Sequence, residues 1–441
     1  MSHTPPKSRA ITVPASRLAR LGRLGSMTAG VAGNMAMGSV AELSRGRRPN
    51  MRDLLLTPGN ITRMTDKLAQ MRGAAMKVGQ LISMESGDFL PPELSQIMTR
   101  LRNDAHFMPP AQLRRVLNAA WGEGWQRHFK GFDVRPIAAA SIGQVHRAQT
   151  RDGRDLAIKV QYEGVARSID SDVANVGGLI RMAGLLPAGF EMAPYLEEAR
   201  AQLHEETDYL REGAHMARFG ALLEGDSRFA LPELHADLTT KTVLAMTYIP
   251  GAPIEAAIEE DQATRDRLMG DLIDLLLTEL FEFGLMQTDP NFANYRYDAE
   301  TSRIVLLDFG ASREIAPEIA DLYRNLLIAG LDADSEGMER AGEALRFIGP
   351  ETAPAHRAQI LHMMGLAFAA LRADAPFDFA CTDMPRQMQA EGTKLAEMGF
   401  IPPEVPMDVL YLQRKFGGMF LLGARLGARL PVAQMLRHHL A

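Results

Sequence analysis

Two short segments in the second half of the chain carry residue types suited to phosphoryl transfer. Asp289-Pro290-Asn291-Phe292-Ala293-Asn294 has the spacing D-x-x-x-x-N, and fourteen residues later comes Asp308-Phe309-Gly310, straight after the apolar run Ile304–Leu307. Phosphoryl transfer needs metal ions to neutralise developing charge and hard oxygen donors to hold them. The amide of Asn294 and the carboxylate of Asp308 suit Mg²⁺, and Asp289 can orient a hydroxyl or a water. Taken singly, Asp308 also reads as a turn-forming residue and Asp289 as a helix-terminating one. The first half adds Lys159 in Ala157-Ile158-Lys159-Val160, where strand alternation puts a lysine on an inner face. A buried ammonium needs anionic partners; on an edge strand the same side chain would snorkel to water. Ending fourteen residues before it, Ala138-x-Ala140-x-x-Gly143-x-Val145 keeps the spacing of a nucleotide-covering loop with two glycines replaced by alanine. Order and context together, a VAIK-like strand, then D-x-x-x-x-N, then D-F-G, point to a nucleotide site.

The elements that must position these residues read as helices, a small β-rich unit, then helices, an α+β chain with two lobes. Ile61, Met64, Leu68, Met71 and Ala75 recur at helical spacing, and Pro91-Pro92 and Pro109-Pro110 are expected to end helices. Strand-like runs on either side of Arg151-Asp152-Gly153 predict a hairpin. A helical stretch is expected over residues 164–224, broken near Leu186-Pro187, and more strands over 231–251. Residues 262–286 predict a strong helix with Leu268, Leu272, Leu275, Leu276, Leu280 and Phe283 on one face. Residues 316–441 read as mostly helical. A kinase-type lysine needs a carboxylate from a helix. Glu205, Glu206, Asp208 and Glu212 are the candidates, and spacing alone does not choose among them.

Composition narrows the class. The 441 residues are 46% hydrophobic and 23% charged, which is ordinary globular protein. The single Cys381 excludes an intramolecular disulfide framework and a cysteine zinc cluster. The net charge of -6 excludes a polycation built for nucleic acid. It is uneven: Lys7, Arg9, Arg17, Arg20, Arg23, Arg45, Arg47 and Arg48 stand against Glu42 alone in residues 1–48, so this arm carries +7 and the remainder -13. Such an arm suits an anionic membrane surface. Leu24–Ala41 is uncharged but too rich in Gly, Ala and Ser for a convincing span. A tail, a soluble helix, an export signal and an organelle transit peptide remain alternative readings. Phe416–Ala424 is too short to cross a bilayer and reads as core, or as a dimer or lipid contact.

The chain resembles the UbiB (ADCK) family of atypical kinases over roughly residues 68–436, closest to its coenzyme Q branch. Lys77-Val78-Gly79-Gln80 is similar to the KxGQ motif, Ala138–Gln144 to the alanine-rich loop, Glu206-Thr207-Asp208 to the ExD motif, and Gln287–Asn294 with Asp308–Gly310 to the catalytic and metal loops. The resemblance implies a protein-kinase-like two-lobed fold with an N-terminal helical extension over the active site. The expected division is a basic arm (1–50), the KxGQ extension (51–130), an N-lobe with inserted helices (131–250) and a helical C-lobe (251–441). It implies ATP and Mg²⁺ as cofactors. Asp289 would take the catalytic position, Lys159 the phosphates, Glu212 the role of its helix partner, and Asn294 and Asp308 the metal. Around the nucleotide it implies Ala138, Ala139, Ala140, Ser141, Gly143 and Gln144, with Lys77 and Gln80 over the pocket and Glu206 and Asp208 as their polar partners. Met246–Ile249 would be the hinge that meets adenine, through Met246 and Ile249.

Gln287-Thr288 stand where protein kinases carry His-Arg, and no Ala-Pro-Glu signal follows Gly310. These departures favour ATP hydrolysis or small-molecule phosphorylation over protein phosphorylation. The expected function is an atypical kinase or ATPase supporting ubiquinone biosynthesis. It would act at the cytoplasmic face of a bacterial inner membrane or the matrix face of the mitochondrial one. A quinone-like lipid or isoprenoid precursor, coenzyme Q biosynthesis proteins and a second copy of the chain are the implied partners. A small-molecule kinase and a nucleotide-switched lipid-binding scaffold are the rival readings.

Overall fold

The computed structural model describes Leu68 and residues 71–86, 107–182, 191–372 and 375–440. The basic arm, Pro91-Pro92 and Leu186-Pro187 lie outside them. The chain divides into two units. The first comprises the described residues up to Ala214 together with Glu233–Tyr248, and the second His215–Pro232 with Ile249 onward. The boundary after Tyr248 falls within the expected hinge Met246–Ile249. Residues 215–232, expected in the N-lobe, belong to the second unit. The cause is local: the short strand Phe229–Ala230 pairs in parallel with Ile304–Val305. Beside it, Arg228 reaches Asp274 of the second unit at 2.6 Å.

The first unit is built on an antiparallel sheet of β1 (Phe129–Phe132), β2 (Ala138–Ala139), β3 (Gly143–Thr150), β4 (Asp155–Gln161) and β5 (Val243–Thr247), in the order β1-β3-β4-β5 with β2 against β3. The predicted hairpin is present, and Gly153 takes the left-handed φ of 95° that its turn requires. Every residue of β4 after Asp155 is buried, so the strand is covered on both faces. Leu156, Ile158 and Val160 enter a core with Leu117, Trp125 and Phe129. Lys159 alternates to the opposite face.

Helices α1 (Arg72–Ser86), α2 (Pro110–Trp121), α3 (Val165–Met182), α4 (Ala193–Glu206) and α5 (Tyr209–Leu222) complete this unit, the last running across the boundary. α1, α3 and α4 pack on one another. Among the described residues, Pro109-Pro110 starts a helix. Pro109 is the N-cap and Pro110 the first residue of α2, where a missing N–H costs nothing.

On the core face of β3, Gln144 and His146 are fully buried. The Met108 amide donates to Gln144 Oε1 at 2.7 Å, which leaves Gln144 Nε2 to donate to His146 Nε2 at 2.8 Å. His146 Nδ1 then donates to Asp133 O at 2.7 Å. Burial pushes the imidazole pKa down, against the opposing pull of the Asp133 carbonyl. The unfolded chain takes up this proton near pH 6.5 and the folded chain only at lower pH. Stability from this group is therefore complete above about pH 6.5 and is lost as pH falls below it. The fall in melting temperature between pH 7.5 and 5.5 should be smaller in His146→Gln than in the parent. Equal falls in the two proteins would contradict this account of His146.

The second unit holds a four-stranded sheet in the order Phe229–Ala230, β9 (Arg303–Leu306), β8 (Tyr295–Asp298), β6 (Ala252–Pro253), and a pair made by β7 (Leu285–Gln287) and β10 (Ser312–Glu314). A further pair joins β11 (Phe377–Asp378) and β12 (Arg429–Leu430). Around them lie α6 (Gln262–Thr278), α7 (Pro317–Leu331), α8 (Ser335–Ala344), α9 (Pro354–Leu371), α10 (Met384–Glu397), α11 (Met407–Leu426) and α12 (Val432–Leu440). Leu268, Leu272, Leu275, Leu276 and Leu280 are all buried as expected, and α6 packs on α11. The helix predicted to reach residue 286 stops sooner. Glu279–Phe283 form a π-helical turn, Gly284 turns left-handed at φ 58°, and β7 follows. Phe416–Ala424 lies within α11 and puts Gly418, Met419, Leu422 and Gly423 into the core.

Candidate active site

Within the first unit, Lys159 sits on β4 opposite Val145 and Leu244, and its side chain is 10% exposed. Its Nζ donates to Glu212 Oε1 at 2.7 Å and Oε2 at 3.0 Å. The Tyr209 ring lies beside the ammonium, 5.2 Å from ring centroid to Nζ. The open question of the helix partner is answered by a break in the chain. The part of the expected helical stretch that carries these carboxylates is two helices, interrupted at Thr207-Asp208, and Asp208 caps the second by accepting from Leu210 N at 3.1 Å and Arg211 N at 3.2 Å. Glu212, in the first turn of α5, reaches the lysine.

Glu206, at the end of α4, pairs with Lys77 of α1 and accepts from Ser141 Oγ at 2.9 Å. The expected partner of Lys77 is thus Glu206, whereas Asp208 serves as a helix cap. Gly73 brings α1 onto the loop directly. A Cβ there would lie 3.0 Å from Ile142 Cγ2 and 3.3 Å from Ser141 O. The KxGQ helix therefore lies on the alanine-rich loop and is tied to it through a shared carboxylate. Gln80, on the same helix, is half-buried.

The loop itself is a tight turn in which Ala140 N donates to Gly143 O at 2.8 Å. Ala138, Ala139 and Ser141 are exposed. Gly143 has a packing reason to be glycine: a Cβ would fall 2.5 Å from Val160 O and 2.8 Å from Tyr209 Oη. The Gln144 side chain is a correction. Paired with Val160, it points away from the Lys159 face, and its amide serves Met108 and His146. Met246 is a buried strand residue of the first unit, and Ile249 opens the longer segment of the second.

Within the second unit, Asp289 leaves the end of β7. Its Oδ1 accepts from Arg414 Nη2 of α11 at 2.7 Å. Asn294 Nδ2 donates to Asp289 O at 3.1 Å, folding the D-x-x-x-x-N segment on itself. Leu307 N donates to Asn294 O at 3.0 Å, which joins this segment to the residue preceding Asp308. Asp308 Oδ1 accepts from Gly310 N at 2.9 Å, and Phe309 packs on Phe219 with ring centroids 5.1 Å apart. Thr288 donates through both N and Oγ1 to Ala311 O, and β7 pairs with β10 on the far side. The D-x-x-x-x-N and D-F-G segments are thus one sutured structure. The amide oxygen of Asn294 and the carboxylate of Asp308 are hard oxygen donors of the kind that would suit Mg²⁺.

A family model described as an ABC1 atypical kinase-like domain matches residues 100–341, which include Lys159, Glu212, Asp289, Asn294 and Asp308. The chain belongs to that family. It is 37% identical over 430 residues to "Atypical kinase COQ8, mitochondrial" of Saccharomyces cerevisiae, covering 97% of this chain and 85% of the relative. It is 36% identical over 441 residues to "Atypical kinase COQ8B, mitochondrial" of Rattus norvegicus, covering 98% and 82%. In structure it resembles the Rv3197–erythromycin complex of Mycobacterium tuberculosis, with a TM-score of 0.56 at 22% identity over 85% of this chain and 94% of that one. That likeness is one of fold. The family and the mixed helix-and-strand architecture establish the expected α+β, protein-kinase-like class, and with it an atypical kinase of the UbiB group.

Arg414 and Lys415 lie beyond the family match and were not singled out by the sequence. Asp289 is 125 residues from Arg414, so no local spacing links them. The one usable signal was a lysine at position 415 on an otherwise apolar helical stripe.

Proposed function

We propose that this chain binds MgATP and consumes it at a membrane surface in support of ubiquinone biosynthesis. The observation that carries the reading is the backbone bond from Leu307 to Asn294, which sets the D-x-x-x-x-N and D-F-G segments side by side. Lys159, held by Glu212, would meet the phosphates. Asn294 and Asp308 would hold Mg²⁺, which when bound neutralises charge on the transferring phosphoryl group. Asp289, fixed by Arg414, would orient the attacking water or hydroxyl. The turn Ala138–Ser141, against which α1 packs, would lie at the nucleotide, with Lys77 and Gln80 above it and Met246–Ile249 at adenine. A helix on that turn leaves little room for a polypeptide acceptor, which supports hydrolysis over protein phosphorylation.

The test is a product balance with purified protein, Mg²⁺ and ATP. Free phosphate equal to ADP formed, and lost in Asp289→Asn, is the expected result. A phosphorylated small acceptor in place of free phosphate would assign a small-molecule kinase. Turnover that ignores Asp289 would refute the assignment.

The basic arm supports peripheral attachment, and no helix among the described residues is long and apolar enough to cross a membrane. The yeast and rat relatives are mitochondrial, the second of the two expected settings. Each Lys or Arg near an anionic surface contributes about 1 kcal/mol. Deleting residues 1–48 should therefore weaken sedimentation with anionic liposomes by at least tenfold. Unchanged binding would place the anchor elsewhere. A quinone-like or isoprenoid lipid, partner proteins of the same biosynthesis and self-association complete the proposal.

A further inference from the structure

Lys415 lies on the buried stripe of α11 and is 3% exposed. Its Nζ donates to Gln287 Oε1 at 3.1 Å and to Tyr295 Oη at 2.7 Å, with Glu279 Oε2 4.0 Å away. Gln287 ends β7 two residues before Asp289. Tyr295 begins β8 one residue after Asn294. A single ammonium therefore holds both ends of the segment that carries Asp289 and Asn294. One helical turn further on, Gly418 lets the same helix close on the middle of the segment, since a Cβ there would stand 2.2 Å from Pro290 Cβ.

The cluster is costly to bury. Burial pushes Glu279 up to about 7 although Lys415 pulls the other way. Burial also opposes the charge on Lys415, but Tyr295 and Glu279 outweigh it and hold that lysine above its ordinary value. An apolar side chain of the same length would fill the volume without this cost. What it would not do is fix two separate pieces of backbone to one point.

We propose that Lys415 is a positioning residue for phosphoryl transfer, its ammonium clamping Gln287 to Tyr295 and so fixing the spacing of Asp289 and Asn294. The inference rests on the reading of those two residues given under Proposed function. A displacement of about 1 Å in such a site lowers turnover by about 10²-fold.

The experiment uses the full chain and compares the parent with Lys415→Met/Glu279→Gln, a pair of substitutions that removes both buried charges together. The clamp predicts a melting temperature near that of the parent and a kcat lower by about 10²-fold. It also predicts an unchanged dissociation constant for Mg-free ADP and faster amide exchange over residues 288–294. A folded double variant with the parent's kcat and exchange rates would reduce Lys415 to core filler. If the double variant does not fold, Tyr295→Phe removes one anchor at constant shape. A severalfold lower kcat at unchanged ADP affinity is expected of it, and parental kcat would overturn the clamp. Amide exchange separates the two readings: a parent without Asp289-dependent turnover refutes the catalytic assignment, and the exchange rates still decide the clamp.

Discussion

Asp289→Asn should abolish most ATP consumption, by a factor on the order of 10²–10⁴, while leaving ADP bound as before. The geometry supports this division. The carboxylate is 21% exposed and is held from the side by Arg414, itself only 16% exposed. Asparagine keeps the shape and still offers Arg414 an oxygen, so the loop should stay folded. It loses the second anionic oxygen, which accepts from Asn294 Nδ2 at 3.4 Å in the parent and is the atom available to orient a water. A drop in affinity instead of turnover would move Asp289 from the chemistry to the binding of nucleotide. In cells, a nucleotide-switched scaffold would tolerate the substitution, whereas an ATP-consuming protein would fail with it.

Lys159→Met should destabilise the first unit by about 3–5 kcal/mol, because it leaves the Glu212 carboxylate buried without its ammonium. Both side chains are almost inaccessible, at 10% and 4%, so water cannot substitute for the lost partner. The double variant Lys159→Met/Glu212→Leu should recover much of that stability, since paired apolar replacements of a buried ion pair are often neutral. Neither variant should bind ATP, for the charge proposed to face the phosphates is gone from both. Urea unfolding gives the first quantity and nucleotide titration the second. A double variant that regains stability and also retains parental ATP affinity would remove Lys159 from the site.

The residues legible in the sequence were those whose neighbours are close along the chain. Lys159 showed itself by strand alternation, and Asn294 and Asp308 by adjacency to Asp289 and to an apolar strand. Glu212 was one of four carboxylates until the family resemblance selected it. The cap at Asp208 divides the helical stretch that carries all four. Gly143 read as a phosphate-loop glycine, yet its close contacts are with Val160 and Tyr209, a packing demand that only the paired strand reveals. Gln144 sat in the right motif and on the wrong face, because a pleat sends neighbouring side chains to opposite sides. That residues 215–232 group with the second unit is not legible, because the strand within them pairs with a partner some seventy residues away. α11 could be read as a helix from its apolar period, but not as the backing of the catalytic loop, since its contacts with Gln287, Asp289, Pro290 and Tyr295 are all long-range.

Thermal unfolding with and without MgADP tests most directly the central proposal that Lys159, Asn294 and Asp308 serve one metal-bound nucleotide. At a nucleotide concentration 100 times its dissociation constant, a ligand specific to the folded state adds about 2.7 kcal/mol. The parent should show that gain in full only when Mg²⁺ is present, Asp308→Asn should lose its Mg²⁺-dependent part, and the Lys159→Met/Glu212→Leu protein should show no gain at all. A parent indifferent to Mg²⁺, or an Asp308→Asn protein stabilised as fully as the parent, would contradict the account.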